Sequence, residues 1–131
     1  MVQASSPGDR NWAVVSHLTA VLNVFSAPLP GLLGSIVTYA LTRDRGELAR
    51  ETAREALNMQ ITLMLVELAL VISMVLVVVD NQLAGLSSSF WLLLCGAIAC
   101  VVASIVFAIT GATRAARGEL YRYPLAIRFV K

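Results

Sequence analysis

Apolar positions fall along this chain in long blocks, and the polar positions between them are few and grouped. The first block, WAVVSHLTAVLNVFSA, runs from Trp12 to Ala27 and ends at PLPG, Pro28 to Gly31; LLGSIVTYAL, Leu32 to Leu41, follows. Pro28 and Pro30 lack a backbone donor and restrict the residue before each, so a break or sharp kink falls between helices over about 12–27 and 30–42. The two form either a tight hairpin or one interrupted span, and each is shorter than the roughly 17–25 residues of a full crossing. Next, TRDRGELARETAREALN, Thr42 to Asn58, carries four arginines and four acids around an apolar stripe of Leu48, Ala49, Thr52, Ala53, Ala56 and Leu57. Glu51 and Arg54, three apart, share a helix side, as do Arg43 and Glu47, four apart. This pattern predicts a short amphipathic helix over about 46–57, lying at a membrane interface before the chain turns inward.

Two longer apolar runs complete the pattern. Met59 to Val79 is 21 residues, about 31 Å as a helix, which matches a hydrocarbon core of roughly 30 Å. DNQLAGLSSS, Asp80 to Ser89, reads as a polar turn, and Phe90 to about Gly111 then runs 22 residues without a charge. These runs predict helices over about 58–80 and 89–117, the second opened by Phe90 and Trp91, residue types that favour the interface. The tail, ATRAARGELYRYPLAIRFVK, has arginines and tyrosines suited to headgroup level. The expected fold is all-α: one polytopic membrane domain over 1–131 with four helices, the first two short and broken at Pro28–Pro30, plus the interfacial helix.

Composition strengthens this picture. Apolar residues make up 58% and charged residues 14% of 131, against about 45–50% and 25% in soluble domains, and the mean hydropathy is +0.78. The first residues, MVQASSPGDRNW, lack the basic start and apolar core of a signal peptide, so insertion through the chain's own spans is expected. The net charge of +2 matters less than where the bases stand. All ten are Arg10, Arg43, Arg45, Arg50, Arg54, Arg114, Arg117, Arg122, Arg128 and Lys131. In the hairpin reading every one falls on one side, which positive-inside logic assigns to the cytoplasm together with both termini. The single-span reading leaves Arg10 on the other side, and the hairpin is favoured.

Little of the chain suggests chemistry. Glu67 stands near the middle of the third helix, where a carboxylate costs about 2.5–3.5 kcal/mol even on lenient insertion scales. It serves a proton or cation relay, contacts a partner, or is a protonated packing residue that orients its helix. His17, the only histidine, lies in the first helix near Ser16 and Thr19 and could pair with Glu67 across the bundle. One histidine without accompanying ligands builds no zinc site, and Ser16 has no nucleophile context. Cys95 and Cys100 lie in an apolar run and read as buried small hydrophobes. Gly96, Cys100, Ser104, Ala108 and Ala112 recur every four residues as a packing seam of small side chains, within the monomer or between copies. The reading is a protein that is not an enzyme, without cofactor, metal or nucleic acid. Its partners are the bilayer, itself or another membrane protein, and anionic lipid drawn to the cytoplasmic arginines.

Three stretches together carry a resemblance: RNWAVVSHLTAVL (Arg10–Leu22), REALNMQIT (Arg54–Thr62) and GELYRYPLAIRFVK (Gly118–Lys131). They resemble a widespread bacterial family of small helical membrane proteins that includes the MamF/MmsF magnetosome proteins. The Tic-type chloroplast import membrane subunit is a more distant likeness. The resemblance marks His17, Asn58, Gln60, Arg122, Tyr123 and Pro124, with departures at Met59, where an aromatic is common, and at Gly34–Ser35, where Gly-Pro is common. It implies a bacterial cytoplasmic (inner) membrane location and an accessory or scaffold role, or alternatively a conduit or translocon subunit using Glu67. Asn58 and Gln60 are expected to bind backbone around YRYP while Arg122 reaches Glu51 or Glu55, forming a cytoplasmic platform.

Overall fold

The computed structural model describes residues 6–22, 29–80 and 87–130. Four α-helices follow in order: α1 (Pro7–Leu18), continued by a 3-10 turn (Thr19–Leu22), α2 (Leu29–Thr42), α3 (Glu47–Asp80) and α4 (Ser88–Ala116). An extended tail follows α4, and there is no strand among the described residues. The fold is all-α, with two shorter helices before two long ones.

The first two helices lie side by side, α1 and its 3-10 turn packing along α2. Ser6 caps α1, its Oγ accepting from the Asp9 amide at 3.2 Å, and Pro7 occupies the first turn, where no amide donor is needed. The Asp9 carboxylate accepts from the Gly46 amide at 3.1 Å, and the Arg45 guanidinium stands 5.1 Å from the Trp12 ring centre. The start of α1 is thereby tied to the turn joining α2 and α3. Of the expected break, Pro28 lies outside the described residues, and Pro30 does not interrupt a helix but sits in the first turn of α2. Helix α2 buries a polar side: the Ser35, Thr38 and Thr42 hydroxyls donate to backbone carbonyls of their own helix at 2.8, 3.1 and 2.8 Å. Small hydroxyl residues satisfied in this way allow backbones to approach closely.

The expected separate interfacial helix is absent. Residues 46–57 were to lie flat and then turn, but α3 runs unbroken from Glu47 to Asp80. The reason is local: no glycine or proline occurs within it, and nothing else interrupts the backbone ladder. Its apolar stripe faces protein, since Leu48, Ala49, Thr52, Ala53, Ala56 and Leu57 are all buried where α1, α2 and α4 pack against it. Its 34 residues extend about 51 Å, more than the roughly 40–45 Å of a bilayer with headgroups, so its charged first turns stand clear of the hydrocarbon. Two small cores occupy this half: Ala13, Leu48 and Ala115 in one, and Met59, Leu63 and Tyr123 in the other.

The other half of the α3–α4 pair is nearly free of protein contacts. Of the most apolar stretch of α3 only 6% is buried, and of α4 only 11%. Helices at the centre of a soluble core would be mostly covered, and these expose Val71, Val75, Leu76, Val79, Leu92 and Val102 instead. The described residues of α1 and α2 do not accompany them to the far end. Leu29, the first residue of α2, lines the same groove as Met64, Glu67, Ala97 and Ile98, which places it beside the middle of the long pair. In a chain with Cys95 and Cys100 replaced by alanine, Arg43→Cys and Ser88→Cys are therefore expected to react with a membrane-impermeant maleimide from opposite sides, and Leu29→Cys from neither. Labelling of Leu29→Cys from the side that labels Ser88→Cys would mean that the hairpin crosses fully.

Candidate functional site

The C-terminal tail is held against the bundle by side chains drawn from α1, α3 and α4. The reversal begins at Gly118, whose φ of 80° is in the left-handed region that favours glycine. The Gly118 amide donates to Ala115 O at 2.9 Å and the Glu119 amide to Arg114 O at 3.0 Å, closing the last turn of α4 in a Schellman motif. Pro124 then opens a turn in which the Ala126 amide donates to Tyr123 O at 3.4 Å.

Between these reversals the tail delivers Tyr123 to His17. Both are buried, and a 2.7 Å hydrogen bond joins His17 Nδ1 to the Tyr123 hydroxyl, with the imidazole tautomer deciding which donates. Burial, with Tyr121 and Glu55 nearby, pushes the Tyr123 phenol above its ordinary range, so the hydroxyl keeps its proton. Two further rings stand edge-on around the pair: Tyr121 at 6.1 Å from His17 and 5.1 Å from Tyr123, and Phe107 at 6.1 Å from Tyr123. The Arg114 guanidinium lies over the other side of Tyr121, 5.3 Å from its centre. Against the imidazole stands Gly111 of α4, where an added Cβ would come within 2.5 Å of Nδ1. His17 Nε2, Thr52 Oγ1 and Glu55 Oε2 are buried without a hydrogen-bond partner among the described residues.

A second clamp fixes the end of the tail. Asn58 Nδ2 donates to Val130 O at 3.0 Å, and the Val130 amide donates to Asn58 Oδ1 at 2.7 Å. One side-chain amide thus satisfies both backbone groups of one residue, as a paired strand would. One turn on, the Thr62 hydroxyl accepts from the Ile127 amide at 3.0 Å and donates to Asn58 O at 2.8 Å. Gln60, two residues on from Asn58 in α3, is also buried.

Several expected pairings differ from those found. His17 pairs with Tyr123 and not with Glu67, because α1 packs beside the last turns of α4. Glu67 is half-buried on the wall of an open apolar groove of about 650 Å³ between α3 and α4. Arg122 reaches neither Glu51 nor Glu55: Arg54 binds Glu51 from the next turn of α3, and Arg128 Nε lies 3.7 Å from Glu55 Oε1. Arg43, in the turn before α3, makes no ion pair with Glu47 among the described residues. Asn58 does bind tail backbone, at Val130 rather than around YRYP. Of the small-residue seam, Ser104, Ala108 and Ala112 are buried, and a Cβ on Gly96 would touch Leu70 of α3 at 3.7 Å. Cys100 is half-exposed and Cys95 exposed, so neither is a buried residue.

Sequence reasoning missed Gly111, Thr62, Tyr121 and the Arg128–Glu55 pair. Gly111 had a signal, since it extends the small-residue register through Ala108, Ala112 and Ala115. The others carry none short of knowing the path of the tail. Among the described residues no group of three or more His, Cys, Asp or Glu converges on a point that could hold a metal ion.

The family model of the magnetosome magnetite crystal formation proteins, MamF/MmsF, matches residues 8–130. The chain belongs to that family. No curated protein and no solved structure matches it. The matched range takes in α1, both long helices and the tail through Val130, so the His17–Tyr123 and Asn58–Val130 clamps both lie within the family unit. Membership and the two exposed apolar helices together make this MamF/MmsF-family chain a small membrane protein of an accessory family, without a metal-ligand cluster among its described residues.

The clamps lend themselves to a direct test. Asn58→Ala removes two hydrogen bonds worth about 1 kcal/mol each, and amide hydrogen exchange at Val130 is expected to accelerate roughly tenfold or more, while exchange at the α1 amides stays unchanged. Unaltered protection of Val130 would show that the tail is held by its rings alone.

Proposed function

We propose that this protein is a non-enzymatic membrane scaffold that associates with itself or with another membrane protein through the exposed half of α3 and α4. The observation that carries this reading is the near-absence of internal burial along those two spans. The clamped half of the molecule supplies a rigid base, and the free half presents Leu68, Val71, Val75 and Ile98 outward to lipid or to other helices. A purely lipid-facing surface has no use for a carboxylate, whereas a helix contact gains from one, so Glu67 supports a partner on the groove. The basic end faces the cytoplasm, with both termini there. The family's description, magnetite crystal formation in magnetosomes, supports an accessory role at a membrane compartment.

Mild-detergent co-purification from native membranes, followed by native mass spectrometry, is expected to recover either an oligomer or a stoichiometric membrane partner. Substituting arginine at Val71, in the groove, should release it while leaving the clamps intact. Recovery of a monomer alone would overturn the reading.

The same carboxylate supports a second reading, a subunit of a conduit for a proton, cation or polypeptide, in line with the resemblance to an import subunit. A monomer of this size leaves no room for its own pore, so several copies or a partner would share Glu67. In liposomes holding a pH-sensitive dye, Glu67→Gln should abolish proton flux without altering oligomeric state, because shape and hydrogen bonding are retained and only the ionisable proton is lost. Equal flux from both proteins, or none from either, would remove the proton version.

A further inference from the structure

Beside the second clamp, the tail and α3 enclose a cleft of about 190 Å³ lined by Arg54, Glu55, Asn58, Arg122, Arg128 and Val130. Its three guanidiniums differ in how far they are engaged. Arg54 is held by Glu51, and Arg128 meets Glu55 through Nε alone at 3.7 Å with its side chain 58% exposed. Arg122 is exposed, with no hydrogen bond or ion pair among the described residues. Against Glu51 and Glu55 the group keeps one positive charge in excess. This end of the molecule also holds the other described arginines, Arg10, Arg43, Arg45, Arg50, Arg114 and Arg117.

Depth and surroundings say what kind of anion would come here. The cleft sits at Asn58, one residue before the apolar run of α3 begins at Met59, which is headgroup level for a chain whose spans start there. The tail wall bends tightly at Arg128, where the Phe129 amide donates to Ile127 O at 3.1 Å, and it divides its side chains between the cleft and the outside. Arg128 and Val130 line the cleft, while Leu125, Ile127 and Phe129 point outward at 67, 57 and 49% exposure. An anion site open to cytoplasm would have polar surroundings. This one has an apolar strip of three large side chains against which acyl chains can lie, next to guanidiniums whose forked donors suit a phosphodiester.

We infer that the cleft between α3 and the tail seats the phosphate of an acidic phospholipid, with Arg122 and Arg128 as its donors and the Leu125–Ile127–Phe129 strip under its acyl chains. This goes beyond the scaffold reading and does not depend on it, since a monomer offers the same cleft. Glu55 has a part in the geometry: its carboxylate stands 3.7 Å from Arg128 Nε, so it meets Arg128 at one nitrogen and leaves the other guanidinium donors to a ligand.

The test uses the full-length chain purified in a neutral detergent. Phosphatidylglycerol and phosphatidylcholine of identical acyl chains are titrated separately, and binding is read by native mass spectrometry. Phosphatidylglycerol is expected to bind at least about fivefold more tightly, and Arg122→Gln to reduce its binding by about fivefold, the effect of one arginine at a membrane surface. Arg43→Gln, which removes a base from the same end but outside the cleft, should leave it unchanged. Unaltered hydrogen exchange at Val130 in Arg122→Gln would show that the tail is still docked. Equal binding of the two lipids, an equal loss from Arg43→Gln, or no loss from Arg122→Gln would each overturn the assignment. So would displacement of the lipid by millimolar inorganic phosphate, which would make the cleft a site for free phosphate.

Discussion

The hydrogen bond between His17 and Tyr123 closes the molecule across 106 residues of sequence, and most of the clamped half depends on it. The imidazole is enclosed against Gly111, which has no side chain to hold it off, and the tail must turn back at Gly118 for the phenol to reach it. Removing either partner would leave a buried polar atom unpaired, a loss larger than the modest net worth of the bond itself. The Asn58 and Thr62 contacts then fix the rest of the tail by its backbone, so their geometry does not depend on which side chains occupy residues 127 and 130. That freedom leaves the outward side chains open to other duties.

The architecture is one bundle with two differently solvated halves. Near the arginines, small residues on α3 and α4 let four helices and the tail crowd together around buried polar side chains such as His17, Asn58 and Thr62. Beyond the level of Leu29 and Glu67, α3 and α4 are the elements that continue among the described residues, and their large apolar side chains face outward. The same helix thus reads as amphipathic at one end and apolar all round at the other. A change of surroundings part-way along an unbroken helix produces that change of pattern without any break in the backbone ladder.

This explains what could and could not be read from the residues. The two long apolar runs, the one-sided arginines and the short proline-flanked pair were legible because each is a local property. The continuity of α3 was equally present in its lack of glycine and proline. The shift from charged to apolar composition at Asn58 looked like a boundary, although composition reports which medium a face meets and not where a helix stops. Pairings were less accessible. Glu67 and His17 are both polar residues in apolar runs and so suggest each other, but the depth at which each stands follows from how α1 packs, and that is a tertiary property. Arg122 and Arg128 are six apart on the tail, and only its actual turn at Pro124 decides which of them meets Glu55.

The distance in sequence between His17 and Tyr123 also orders events during synthesis. The ribosome finishes α1 early and adds residue 123 more than a hundred residues later, so the first helix enters the membrane with its imidazole still unpaired. Contacts of such long sequence separation are slow to form. Until they form, His17 and Asn58 lack the tail groups that they bind in the folded molecule, so the four helices must assemble around polar side chains that are paired only afterwards.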